Sequence, residues 1–162
     1  MLDLGCGSGE PITRVLAEAG FDVVGVDDAP RLLELARRAV PEAAFLPGDM
    51  RTVELDGTFD GIVAWDSVFH IPRADHAALF ARMARWLVPG GRLLLTLGGT
   101  GEAGFTSEMC GATFFYSGHE PEQARALLRH AGFSIEHWEV DDATSRGHIA
   151  VFAVRDGVVA DG

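Results

Sequence analysis

The chain has 162 residues, a formal net charge of −11 and two cysteines, Cys6 and Cys110. That length suits one domain able to bury roughly 70% of its unfolded surface, and the acidic balance argues against a broad phosphate-binding face, hence against nucleic acid as a partner. Two distant cysteines exclude a disulfide scaffold and suit a reducing cytoplasm; no stretch is apolar for long enough to span a bilayer, and no signal-peptide pattern is seen.

Residues 1–4 read as a strand that begins at Met1 itself, shorter than a central strand usually is. This reading expects an N-terminally truncated chain: one that was cut, given a misassigned start, or naturally reduced. A glycine turn follows at Gly5, Gly7 and Gly9. The set Ile12, Val15, Leu16 and Ala19 then predicts a helix over 10–19, with Pro11 in its first turn and Gly20 as its stop. A strand over 22–27 carries Val23, Val24 and Val26. A helix after Pro30 places Leu32, Leu35, Ala36 and Ala39 at helical spacing, and Pro41 closes it.

A short strand, 44–47, leads into Gly48-Asp49-Met50, and the strand over 61–65 is apolar on both parities. A helix over 73–87 follows, then a Pro89-Gly90-Gly91 turn and a strand over 93–97. Residues 98–118 have no clear period and read as a loop or lid. A helix over 120–131 stops at Gly132. Two strands, 133–139 and 149–154, close the chain, joined by a polar loop over 141–147.

Alternating strands and helices predict an α/β chain: a doubly wound parallel sheet covered on both faces. The last two strands lack a helix between them and should pair antiparallel. The final one is apolar on both parities and the one before it is not, so the final strand should insert beside the fifth. A sheet in the order 3-2-1-4-5-7-6 has that property.

The turn itself reads Asp3-x-Gly5-x-Gly7-x-Gly9, with Cys6 inside it. Glycine lets the backbone take positive φ and lets a ligand approach, while the helix N-terminus beyond it favours negative charge. A dinucleotide turn spaces its glycines G-x-G-x-x-G, but Glu10 stands where the third glycine would be. The run resembles motif I of the class I S-adenosylmethionine (SAM)-dependent methyltransferases, and the strand order resembles their Rossmann-like sheet. The resemblance covers nearly the whole chain.

The resemblance implies SAM as cofactor and a set of binding residues at the carboxyl ends of the strands, where ligands of such sheets collect. Asp3, Gly5, Cys6, Gly7 and Gly9 would form the turn under the ligand's zwitterionic end. Asp27 would accept both ribose hydroxyls. Asp28 would adjoin it, or cap the following helix. Asp49 would accept from the adenine amine and Met50 would pack on the ring. Trp65 and Asp66 would lie beside the sulfonium, with core packing the plainer role for Trp65.

His70 is the catalytic candidate, together with Asp66: four residues apart, they share a face if the segment is helical. An imidazole there could take a proton from the acceptor, or only position it. His76, His119 and His148 are further pocket candidates, with an ordinary role the plainer reading of each, and no spacing makes a metal site. No run of Asn or Asp, Pro-Pro and an aromatic follows the fourth strand, which disfavours methylation of nucleic acid bases. A small-molecule acceptor with an oxygen or nitrogen nucleophile remains. A non-catalytic SAM-binding or scaffold protein is the alternative, and a nicotinamide oxidoreductase fits less well. Acceptor choice is assigned to the 98–118 loop and to the N-terminal residues this reading expects to be missing, and oligomeric state has no signature.

Overall fold

The computed structural model describes residues 1–109, 111–142 and 147–157. The strands are β1 (Leu2–Leu4), β2 (Val24–Asp27), β3 (Ala44–Pro47), β4 (Phe59–Ala64), β5 (Leu87–Gly98), β6 (Phe105–Met109), β7 (Ala112–Tyr116), β8 (Phe133–Asp142) and β9 (His148–Arg155). The helices are α1 (Ile12–Glu18), α2 (Pro30–Ala39), α3 (Arg73–Trp86) and α4 (Pro121–His130), and a 3-10 turn spans Val68–His70.

Seven strands form one sheet in the order β3-β2-β1-β4-β5-β9-β8. The pairs β3–β2, β2–β1, β1–β4 and β4–β5 are parallel. β9 runs antiparallel to both β5 and β8. This is the arrangement expected from the alternation of elements. β9 is central because Ile149, Ala150, Val151 and Ala153 are all buried, and a strand apolar on both faces is stable only inside a covered sheet.

The main core joins Leu2, Leu4 and Val26 of the first strands to Phe80 and Met83 of α3, Leu128 of α4 and Phe133 of β8. A second cluster places Leu33, Ala36 and Val40 against Cys6 and Phe45 on the other side. Gly25 sits where that packing is tightest: a Cβ there would meet the Phe45 ring at 2.7 Å and Cys6 Sγ at 2.9 Å.

The structure corrects the sequence reading in three places. First, 98–118 contains an antiparallel hairpin, with Phe105 opposite Tyr116 and Thr106 opposite Phe115. Neither face is fully buried, so no alternation marks it, yet Phe114, Phe115 and Tyr116 are good strand formers. Cys110, between its strands, lies outside the described residues. Second, β5 starts at Leu87, immediately after α3, and carries the Pro89-Gly90-Gly91 turn as an irregularity opposite Phe59 and Gly61. Third, β8 runs to Asp142, into the expected loop, of which 143–146 lie outside the described residues.

Candidate functional site

The site is built on the turn after β1. Gly5, Gly7 and Gly9 take φ of 83°, 54° and 79°, a region where L side chains are strained. Gly5 N–H and Cys6 N–H both donate to the Val26 carbonyl, at 2.8 and 3.0 Å, which bends the chain over the end of β2. A Cβ on Gly5 would fall 2.3 Å from Ser67 Cβ. Ser67 is itself fixed, its hydroxyl donating to the Leu4 carbonyl at 2.8 Å.

Above the turn lies a cleft of about 460 Å³, within the range of small-molecule sites. Its walls come from the carboxyl ends of β1, β2, β3 and β4. Gly5, Gly7, Asp27, Asp28, Asp49, Met50, Asp66 and His70 line it. Met109 and Phe114 of the hairpin complete the far wall.

Asp3, Cys6, Gly9 and Trp65 are not on the wall. Asp3 lies under the turn, 2% exposed, and accepts a hydrogen bond from the Thr13 hydroxyl at 2.5 Å. Burial pushes its carboxyl up to about 6; the Thr13 bond opposes this and the Asp27 charge adds to it. Asp3 therefore braces the turn against α1 from below. Cys6 is a buried free thiol, pushed up by burial and by Asp3 and Asp27. Trp65 packs edge-on against His148, with centroids 6.1 Å apart.

Asp27 is anchored by two backbone donors. Gly7 N–H donates to its Oδ2 at 2.8 Å and Ala29 N–H to its Oδ1 at 2.9 Å. The capping role weighed for Asp28 does not form: the N-cap of α2 is Ala29, with no side-chain cap hydrogen bond, and Asp28 stands exposed at the rim. Asp49 accepts the Arg51 backbone N–H at 2.8 Å and the Arg51 guanidinium at 2.5 Å. Those hydrogen bonds hold its carboxyl below the usual carboxylate range. Arg51 also reaches Asp75 on α3 at 3.3 Å.

The expected Asp66–His70 face does not form, because the 3-10 turn begins only at Val68 and Asp66 precedes it with φ of 51°. Each turns elsewhere. His70 Nδ1 bonds the Phe115 carbonyl of the hairpin at 2.8 Å. Asp66 Oδ1 pairs with His148 Nε2 at 2.7 Å. A carbonyl only accepts, so in the neutral ring the His70 proton sits on Nδ1 and Nε2 keeps its lone pair.

Ser67, Arg51 and Phe114 were missed in sequence, and His148 was a pocket candidate read as ordinary. Ser67 and Arg51 adjoin residues already singled out and could have been found by extending each strand end by one residue. His148 and Phe114 reach the site only through tertiary folding, and no short-range pattern marks them. Among the described residues, no cluster of three or more His, Cys, Asp or Glu could hold a metal ion.

The comparisons agree with this geometry. The family profile described as "Methyltransferase domain" matches residues 1–91, the stretch that supplies most of the cleft. An uncharacterized methyltransferase of Mycobacterium tuberculosis is 40% identical over 93 residues, covering 57% of this chain and 37% of the relative. A ubiquinone biosynthesis O-methyltransferase of Xylella fastidiosa is 31% identical over 154 residues, covering 84% of this chain and 61% of the relative. The chain thus spans less than two thirds of the length of either. A solved SAM-dependent methyltransferase of Methanosarcina mazei superposes with a TM-score of 0.82 at 24% identity, covering 96% of this chain and 92% of that one; at that identity the likeness concerns the fold. The matched glycine turn, the acid closing β2 and the sheet with its antiparallel β9 converge on one assignment: the chain belongs to the methyltransferase domain family.

Proposed function

We propose that the chain is a SAM-dependent methyltransferase that delivers a methyl group to an oxygen or nitrogen of a small molecule. One observation carries the reading: the Asp27 carboxylate, at the mouth of the glycine turn, is fixed by the Gly7 and Ala29 N–H groups. A carboxylate offers about four acceptor sites, so two remain for the vicinal hydroxyls of a ribose. Two anchoring bonds fix its orientation in advance, which lowers the cost of binding.

The cleft fits the rest of such a ligand. Gly7 has no atom within 4 Å of a hypothetical Cβ except Leu32 Cδ1 at 4.0 Å, so its upper face is open to an incoming group. Asp49 lines the cleft where an adenine amine would approach, and would accept from it in exchange for one of the hydrogen bonds Arg51 makes to its two oxygens; Met50 offers an apolar surface for a ring. Asp28 adds negative charge suited to a cationic ligand. Asp3, Cys6 and Gly9 act one layer down, by shaping the turn, and Trp65 by packing behind Asp66.

When bound, SAM supplies a methyl group on a sulfonium. The protein has to align the acceptor with it and exclude water. Ile71, Met109 and Phe114 give the acceptor side an apolar wall. His70, with Nε2 left as a lone-pair nitrogen, and Asp66 are the groups on that side able to hold or take a proton. The Xylella fastidiosa relative is named for O-methylation, which supports oxygen as the acceptor atom. A small-molecule acceptor, not a nucleic acid, suits an acidic cleft. The buried free thiol of Cys6 supports a cytoplasmic location.

Calorimetric titration with SAM tests the binding, and radiolabelled SAM with a panel of phenols, catechols and primary amines tests the transfer. Asp27→Ala should lower SAM affinity by about 10²–10⁴-fold, as expected for two hydrogen bonds to a charged group, with the far-ultraviolet circular dichroism retained. Unchanged affinity would show that the ribose assignment is wrong.

A further inference from the structure

We infer that His148 and Asp141, brought from the last two strands to the end of β4, are positioning residues that hold Asp66 as the group taking the proton from the methyl acceptor. The inference rests on the methyltransferase reading above and assigns a part of the molecule that reading leaves idle.

Three elements converge on Asp66. Its backbone N–H donates to Thr96 Oγ1 of β5 at 2.7 Å, and the Thr96 hydroxyl donates back to Oδ1 at 3.4 Å. His148 Nε2, at the start of β9, meets the same Oδ1 at 2.7 Å. His148 Nδ1 is bonded in turn to Asp141 Oδ1 of β8. Both side-chain bonds to Asp66 fall on Oδ1, and Oδ2 takes part in neither. The Asp66 side chain is 57% exposed and lines the cleft, whereas His148 and Asp141 are 18% and 22% exposed behind it. Asp66 is also the one non-glycine residue with positive φ among the described residues. Such a conformation costs energy and persists where the surroundings enforce it, commonly at functional sites.

With a carboxylate on each nitrogen, His148 is set to carry its proton. Burial pulls the imidazole down, but the bonds with Asp141 and Asp66 outweigh it and hold the ring above the ordinary histidine value. Asp142 stands opposite His148 in the strand register, and the Trp65 and Phe69 rings lie edge-on at 6.1 and 5.7 Å. The imidazolium then donates to Asp66 Oδ1, which orients Oδ2 and keeps the carboxylate an acceptor. As the acceptor oxygen or nitrogen bonds to the methyl carbon, the carbon–sulfur bond breaks with its electron pair left on sulfur. The acceptor's O–H or N–H bond breaks with its pair left on oxygen or nitrogen, and the proton passes to Asp66 Oδ2.

Two measurements test this. In ¹⁵N-histidine spectra of the protein without SAM, His148 should remain an imidazolium to higher pH than in Asp66→Asn or Asp141→Asn. With a compound from the phenol, catechol and amine panel, Asp66→Asn should lower kcat by about 10²–10³-fold, and His148→Gln and Asp141→Asn by about 10-fold. SAM affinity should change less than about threefold in each, a bound that separates loss of chemistry from loss of binding. The Asp66→Asn, His148→Gln double variant should be no slower than Asp66→Asn, the mark of residues acting through one group. Additive losses, or a His148 titration indifferent to Asp66, would each overturn the inference and leave the methyltransferase reading standing. A wild-type protein that binds SAM yet methylates no panel compound would overturn both.

Discussion

The two walls of the cleft are assembled differently. On the glycine-turn side, the key bonds join residues close in sequence: Thr13 to Asp3 across 10 positions, Ala29 to Asp27 across 2 and Gly7 to Asp27 across 20. On the opposite side they join distant ones: His70 to Phe115 across 45 positions, Ser117 to Ile71 across 46 and His148 to Asp66 across 82. The first wall is a repeat of one device, a strand end followed by a turn and a helix. The second is a meeting of the hairpin, the 3-10 turn and the last two strands. A ligand shared by a family can be met by the first kind of wall, while the second is free to vary with the acceptor, which fits a family profile that ends at residue 91.

The sharpest way to break that contrast is to fill the turn. Gly5 has φ of 83° and its Cβ would collide with Ser67, whereas Gly20, at φ of 88°, has nothing within 4 Å. Both substitutions to alanine pay the left-handed penalty of about 1–2 kcal/mol. Gly5→Ala adds overpacking of about 1–3 kcal/mol. Urea denaturation should therefore show Gly5→Ala losing roughly 2–5 kcal/mol and Gly20→Ala about 1. Equal losses would mean that the turn can move away from Ser67 and is not rigidly set.

The walls should also respond to pH with opposite signs. Asp3, under the turn, is raised by burial from 3.8 to about 6. Its contribution to stability is full below pH 3.8 and is lost as pH rises through 6. His76, behind the 3-10 turn, is 1% exposed, and its Nε2 has no hydrogen-bond partner. Burial first, then the neighbouring His119, lowers it from 6.5 to about 4. Its contribution is full above pH 6.5 and is lost as pH falls through 4. Each effect is on the order of 3 kcal/mol when complete. Relative to the parent, Asp3→Asn should grow more stable from pH 4 to 7, and His76→Gln should grow more stable from pH 6.5 to 4. A pH-independent difference for either variant would show that its group titrates alike in the folded and unfolded chain.

The same contrast explains what could be read from the sequence. The order of the seven strands followed from alternating elements and from a final strand apolar on both parities, since only burial on both faces makes Ile149, Ala150 and Val151 affordable in water. Asp27 and Asp49 were visible because each closes or directly follows a strand. The Asp66–His70 pairing failed because spacing alone presumes a helix, and positive φ at Asp66 aims its side chain independently of the turn that carries His70. The hairpin was illegible because its aromatic residues, Phe105, Phe114 and Tyr116, pack among themselves and against Phe69 and His70 instead of alternating into a core. His148 looked ordinary because its partners are fixed only once β9 lies beside β5 and β8.

A smaller perturbation asks whether the walls are mechanically separate. Ser117, 3% exposed, follows the hairpin; its hydroxyl donates to the Ile71 carbonyl at 2.6 Å and its N–H to the Phe69 carbonyl at 2.8 Å. It ties the hairpin to the turn bearing His70, and neither bond reaches the glycine side. Ser117→Ala leaves the buried Ile71 carbonyl short of a donor, a loss of about 1–2 kcal/mol. Hydrogen exchange should quicken in residues 105–116 and 68–71 while the amides of the glycine turn keep their protection, and SAM affinity should stay within about twofold, under 0.5 kcal/mol. If affinity fell as far as in Asp27→Ala, the hairpin would be part of the cofactor wall, and the division between an inherited wall and an acceptor-specific one would have to be redrawn at Ser117.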